Sequence, residues 1–352
     1  MSTLIREAFS KATLLACKGF DPLFIDKKTR LDLEAILPEN AKAFLPVVEG
    51  NDRRILHYTN LSILYNSRRR VPFVSAYSID GNEKLQHIKR ANGFKPDPRI
   101  DVKIQLSQKG FYDLRTDITE FEIGHMAANN EMAWGQAAQL QSYQTFHFPN
   151  SVPQAENLNT GIWKTLETYI IEEAATIPDN KRICVFTGPL LKNDDPAYRQ
   201  DPDFQIPLLF YKVVVFPTVK GLFSTAFIMS HEQRMIDQQM FVERKKAFVR
   251  GIATKQVVPV FDDFKYRKVF QVNIKFLEAQ TGLNFTWKGV KSIAVPNDKN
   301  QVKKIRKVKD AKEAADLQRS LRRGIAPLKS VKTDLTPEEI KNKTHLLNII
   351  LP

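Results

Sequence analysis

Cysteine is almost absent from this chain: Cys17 and Cys184 are the only two in 352 residues. Two thiols alone cannot build a disulfide framework, and they do not suffice for a zinc site. Cys184 lies in the apolar run from Ile183 to Phe186 and reads as a small core residue. Both cysteines fit a reducing compartment. Long apolar runs are also missing. Nothing approaches the ~18 consecutive apolar residues of a membrane span, so no membrane is expected among the partners. The segment from Leu4 to Phe20 is mildly apolar, but Arg6, Glu7, Lys11 and Lys18 interrupt it. It lacks the continuous core of a secretory signal. An ordinary amphipathic start is the simpler reading, a transit-type peptide is the alternative, and a cytoplasmic location is expected. Internal repeats and low-complexity tracts are absent too, which argues against repeat architectures.

What is present is ordinary globular material with a strong charge. Apolar residues make up 43% of the chain and charged residues 26%, enough for one large domain or two ordinary ones. The net charge is +14. A surface of that sign suits a phosphate polymer, whereas the bland alternative is a solvated basic face that keeps the protein soluble.

Three regions are expected. Residues 1–49 look like a helical and loop-rich leader. Residues 50–287 carry the strand and helix signals. Residues 288–352 form a basic, mainly helical extension, with 16 Lys or Arg against 7 Asp or Glu. Strands are expected at Ser62 to Tyr65 and at Val71 to Ser78, the second ending in the turn Asp80-Gly81. Asn159 to Glu173 is the clearest helix, with Ile162, Leu166, Tyr169 and Ile170 at helical spacing. Val185 to Thr187 reads as a strand closed by Gly188-Pro189. Leu208 to Phe216 and Leu222 to Met229 read as central strands joined by a turn from Thr218 to Gly221. Val272 to Thr281 reads as a helix stopped at Gly282. In the extension, Gln301 to Arg323 reads as a basic helix, and Thr336-Pro337-Glu338-Glu339 as a helix start.

The most informative stretch runs from Gly124 to Glu167. It holds Gly124-His125, then Phe146-His147-Phe148-Pro149-Asn150 with Pro153-Gln154, and finally Leu158-Asn159 with Trp163, Leu166 and Glu167. Phosphodiester hydrolysis needs an attacking water, charge relief on the phosphate and help for the departing alkoxide. A histidine is well suited to take a proton from water. One divalent metal can polarise the phosphate and stabilise the leaving oxygen. Magnesium prefers oxygen ligands and keeps several waters, so an Asn oxygen and a nearby carboxylate suffice. Asn159 and Glu167 are eight residues apart, which at about 100° per residue leaves their side chains about 80° apart, able to border one site. Nothing in the spacing brings His125 to that helix.

The stretch resembles the DNA/RNA non-specific endonucleases of the ββα-metal (His-Me finger) class. That family carries an Asp-Arg-Gly-His motif, a Phe-x-x-x-Asn-x-x-Pro-Gln segment and a Leu-Asn-x-x-x-Trp-x-x-Leu-Glu helix. Here the three read Glu122-Ile123-Gly124-His125, Phe146 to Gln154, and Leu158 to Glu167. Further similarity extends over roughly residues 50–285. The resemblance implies an α+β fold with a central, mainly antiparallel sheet flanked by helices. It implies a metal-dependent, sugar-non-specific endonuclease acting on DNA and RNA, with one divalent metal, Mg2+ or Mn2+. By motif match, His125 would be the general base, Asn159 the direct metal ligand, and Glu167 the residue orienting metal-bound water. Glu122 and Asn150 would support the site. Some members of the family dimerise, so a homodimer is one expectation for the assembly.

Two departures stand out. The motif aspartate is Glu122, and the motif arginine is Ile123, which cannot pair with an anion. Another cation must then meet the phosphate, and Arg90 is the first candidate, with Arg99 nearby. The loss of the arginine also admits a catalytically weakened nucleic-acid-binding protein. A nuclease held in check by a regulatory partner, as in toxin or defence systems, is the other rival. His147, Arg69-Arg70 and Asp194-Asp195 draw attention as well. They read more simply as a packed histidine, an anion patch or solvated strand end, and a turn.

Overall fold

A computed structural model of the chain describes residues 3–52, 54–83, 88–113, 121–155, 162–176, 181–231, 241–242, 269–295 and 325–327. Asn159, the expected helix of residues 301–323 and the helix start at Thr336 lie outside the described residues.

Most of the strand-forming sequence enters one twisted sheet. Its strands are β1 (Leu56–Tyr58), β2 (Leu61–Asn66), β3 (Val71–Asp80), β6 (Arg182–Leu190), β8 (Leu209–Thr218), β9 (Gly221–Ser230), β11 (Val269–Val272) and β13 (Ile325–Pro327), in that spatial order. Every neighbouring pair along this path is antiparallel, whereas β12 (Val290–Ser292) joins β9 in parallel. Two smaller pairs stand apart: β4 (Phe121–His125) with β5 (Ser151–Ala155), and β7 (Ala197–Tyr198) with β10 (Phe241–Val242). The helices are α1 (Thr3–Ala8), α2 (Lys11–Ala16), α3 (Glu39–Lys42), α4 (Ala138–Gln144), α5 (Ile162–Thr176) and α6 (Ile274–Thr281). The architecture is α+β, with a mainly antiparallel sheet and a few helices. Among the described residues no helix is long and apolar enough to cross a membrane.

Period-two alternation explains why the central strands are apolar on both sides. Ile183 and Val185 enter one core, and Cys184 and Phe186 the other. Phe210 and Val214 join the first core, while Tyr211, Val213 and Val215 join the second. The first core also receives Phe121 and Val152 of the β4–β5 pair, and Trp163, Leu166 and Ile170 of α5. The strand pair that carries His125 and the helix that carries Glu167 therefore pack on this face. The second core receives Phe20, Ile25, Leu31 and Ile36 of the N-terminal region and Phe285 and Trp287 near its other end. Residues of the leader thus share the sheet's core.

Several boundaries shift from the sequence expectation. The strand read as Val185 to Thr187 runs on through Gly188 and Pro189 to Leu190, paired with β8 throughout. Gly188 serves close packing rather than a turn: a Cβ there would lie 2.3 Å from the Phe73 carbonyl oxygen and 2.9 Å from the Tyr211 hydroxyl. Residues 269–272 form β11, and α6 begins only after Asn273. It ends where Gly282 takes a left-handed φ of 70° and its N–H donates to Glu278 O. Arg69 and Arg70 are half-buried and ion-paired rather than an open anion patch. Arg69 pairs with Asp195 at 2.5 Å and Arg70 with Asp201 at 2.6 Å, pinning the loop after β6. Asp195 also accepts the Lys192 N–H at 3.0 Å, the turn chemistry expected of Asp194-Asp195.

Candidate active site

His125 is the last residue of β4, opposite Ser151 of β5. Phe121, Ile123 and His125 alternate onto one side of the strand, Glu122 and Gly124 onto the other. Gly124 is required by its neighbour across the pair, since a Cβ would come within 2.5 Å of three side-chain atoms of Gln154. His125 is buried between Phe94 and Phe146, whose ring centroids lie 4.5 and 4.6 Å from its own. Among the described residues its Nε2 has no hydrogen-bond partner. Burial, helped by the Arg90 charge, pushes the imidazole down to about 3, so it is neutral at pH 7.

The turn that follows His125 is held by Asn150. This side chain is fully buried and makes four hydrogen bonds. Its Oδ1 accepts from Ala127 N at 3.0 Å and Ser75 Oγ at 3.1 Å, and its Nδ2 donates to Ala127 O at 2.9 Å and Thr145 O at 3.0 Å. Asn150 O also accepts the Met126 N–H at 2.9 Å. With its amide fully engaged, Asn150 fixes the backbone beyond the histidine. Glu122 is half-buried on β4, opposite Gln154. Ile123 packs against the first core, where an aliphatic side chain is compatible with its half-buried place.

The two arginine candidates differ. Arg90 is exposed, and its guanidinium lies 5.5 Å from the centroid of Phe146, the ring that also contacts His125. Arg99 is buried and committed elsewhere. It pairs with Asp97 at 2.7 Å and donates to Leu14 O at 2.9 Å and His57 O at 2.6 Å. It ties the N-terminal helices to β1, and its donors are spent on the fold.

On α5, Trp163, Leu166 and Ile170 form the buried stripe, and Glu167 stands within it, one turn beyond Trp163. Its carboxylate is 13% exposed and lies 3.4 Å from the Lys212 ammonium. Burial pushes it up to about 7, against the opposing pull of Lys212. Lys212 was not singled out by its motif. It is the one cation in the apolar strand Leu209–Thr218 and sits on the first-core face between Phe210 and Val214. Its side chain is wholly buried, bonded to Glu131 Oε1 at 2.9 Å, Glu131 Oε2 at 3.1 Å and the Tyr77 hydroxyl at 2.9 Å. A lysine inside a strand apolar on both faces is the sequence signal that points to such a partner.

The other histidines have structural places. His147 is buried, with Nδ1 2.9 Å from Gln144 O and its ring against Phe9 and Tyr58. His231 bridges the two sheets: Nε2 donates to Pro207 O at 2.8 Å, and Nδ1 accepts the Ala155 N–H at 3.3 Å. No group of three or more His, Cys, Asp or Glu forms a metal cluster among the described residues. A magnesium-type centre does not need one, because it takes few protein oxygens and keeps its waters. The Glu167 carboxylate, 13% exposed, is an oxygen donor of the kind such a centre takes.

His125 thus ends a strand pair, and Glu167 lies on the helix that follows that pair in sequence. The chain belongs to the DNA/RNA non-specific endonuclease family, whose profile matches residues 39–292. Uncharacterized protein y4fB of Sinorhizobium fredii is 27% identical over 199 residues, 54% of this chain and 29% of that protein. Human mitochondrial nuclease EXOG is 29% identical over 138 residues, 38% of this chain and 33% of that one. The chain thus spans about a third of the length of these relatives. Among solved structures, that of the EndoG/EndoGI complex aligns with a TM-score of 0.46 and 21% identity, covering 66% of this chain and 84% of that one.

Proposed function

We propose that this chain is a divalent-metal-dependent endonuclease that hydrolyses phosphodiester bonds in DNA and RNA. The observation that carries the reading is His125: buried, neutral and, among the described residues, unpartnered at Nε2, inside the matched family region. Nε2 takes the proton of the attacking water as the new P–O bond forms and the bond to the leaving oxygen breaks. Burial is the main reason the imidazole is a weak base, and a phosphate anion beside Arg90 would offset only the lesser part that the Arg90 charge contributes. Arg90 takes the part left vacant by Ile123 and relieves charge on the phosphate. Asn159 and Glu167 would hold the metal, the first directly and the second through water, and Mg2+ suits oxygen donors. When bound, the metal supplies charge stabilisation to the phosphate and the leaving oxygen. Backbone phosphates carry no base identity, so such contacts give little sequence preference.

The test is cleavage of supercoiled plasmid and single-stranded RNA with Mg2+, Mn2+ or EDTA. Wild type is expected to nick both substrates only with metal, and His125→Ala to lose at least ~100-fold in rate. Retention of wild-type cutting by His125→Ala would remove the histidine from the mechanism. A pure wild type silent with every metal would instead favour the reading as a weakened binder, motivated by Ile123.

A further inference from the structure

A lysine in the middle of β8 is hard to explain by packing. Phe210 and Val214, its neighbours on the same face, are apolar core residues, and a buried ammonium carries a large desolvation cost. Leu or Met would occupy that place without it. What a leucine could not do is bridge. On one side Lys212 grips both oxygens of Glu131, at 2.9 and 3.1 Å. Glu131 Oε2 in turn accepts the N–H of Ala128, three residues beyond His125, at 3.0 Å. On the other side Lys212 reaches Glu167 Oε1 on α5 at 3.4 Å. The Tyr77 hydroxyl, 2.9 Å away, and the rings of Tyr77 and Trp163, 5.6 and 5.5 Å from the nitrogen, fix the ammonium from β3 and α5. A continuous polar path therefore runs from the backbone after His125 through Glu131 and Lys212 to Glu167.

We propose that Lys212 is a positioning residue of the nuclease site, holding the Glu167 carboxylate in register with the turn that follows His125. The inference rests on the nuclease reading above. Lys212 touches neither substrate nor reacting atoms in this role. It engages one oxygen of Glu167 and so limits rotation of the carboxylate. With one cation between two carboxylates, the cluster also provides an environment suited to a nearby divalent cation.

Removing the lysine alone would leave Glu131 buried without its cation and threaten the fold. The informative variant is therefore Lys212→Met combined with Glu131→Gln. Folding is checked by circular dichroism and thermal melting, Mn2+ affinity by electron paramagnetic resonance titration, and turnover on plasmid. The doubly substituted protein is expected to stay folded, to bind Mn2+ roughly 10- to 100-fold more weakly, and to lose kcat by a similar factor while KM holds. Adding Glu167→Gln should then cost little more, because Lys212 acts through Glu167. A folded variant with wild-type Mn2+ affinity and kcat would overturn the proposal. So would a further full-sized loss on adding Glu167→Gln. If the double variant does not fold, Tyr77→Phe removes one Lys212 contact and keeps both ion pairs. A smaller loss of Mn2+ affinity in it supports the proposal, and none overturns it. If wild type cleaves nothing, the nuclease reading fails by itself, while the Mn2+ titrations still decide whether Lys212 sets the carboxylate.

Discussion

Arg90 and Arg99 show how burial separates roles that the sequence leaves together. Arg90 and Arg99 are both cations near Phe94, and motif reasoning names both as phosphate contacts. Arg90 is exposed beside the ring that packs on His125, whereas Arg99 is enclosed by Asp97 and two carbonyls. Arg90→Ala is expected to lower kcat/KM on DNA by roughly 10- to 100-fold, as for loss of one charge-stabilising group. It should also raise the His125 pKa, because the lost cation disfavoured the imidazolium. An NMR titration of the ring protons checks the direction, and an unmoved resonance would place Arg90 too far away to matter. Arg99→Met should behave oppositely. It strands a buried Asp97, so a loss of about 3–5 kcal/mol in urea denaturation is expected, with turnover per folded molecule retained. A stable Arg99→Met protein with poor turnover would return Arg99 to the site.

At the scale of elements, the site depends on how the β4–β5 pair and α5 lie against the main sheet. His231 is one fastener, joining Ala155 at the end of β5 to Pro207 just before β8. Burial pushes its imidazole down to about 4, against the pull of the Pro207 carbonyl. A group whose folded pKa is depressed stabilises the fold above its unfolded pKa and loses that contribution as pH falls through the folded one. The window for His231 is therefore from about 6.5 down to about 4. His231→Gln should cost about 2 kcal/mol at pH 7.5 through its lost hydrogen bonds. The gap to wild type should narrow by up to about 1.4 kcal/mol per pH unit inside that window. Denaturation curves at pH 7.5, 6 and 5 measure it, and a constant gap would mean that His231 titrates normally in the fold. Much of this level was legible beforehand. The β8–β9 hairpin and the end of α6 at Gly282 follow from alternation and glycine placement. Gly188-Pro189 misled because a glycine needed for close packing looks, in one dimension, like a glycine needed for a turn. The packing of the leader was not legible, because its apolar residues are spread over short helices and loops with no sustained period, yet Phe20, Ile25 and Leu31 bury against the sheet.

The whole molecule carries +14, and the nuclease reading assigns that charge to a polyanion. Binding of a DNA duplex to the His125→Ala protein should weaken with a slope of about −0.9 in log K against log salt for each phosphate contacted. With about six contacts, affinity falls on the order of a thousandfold between 50 and 200 mM salt. Fluorescence anisotropy measures this, and a flat response would detach the basic surface from substrate binding. The sequence by itself determined the class: ordered motifs from Gly124 to Glu167, a basic balance and apolar alternation identify a family and its sheet, because such patterns are local and one-dimensional. The tertiary structure alone decided which cation is buried and which is exposed, and that Lys212 and Glu131 connect the His125 turn to the Glu167 helix. Those contacts join residues 81 and 45 positions apart. No spacing rule reaches that far, because the cost of burying a charge is set by the neighbours that folding brings to it.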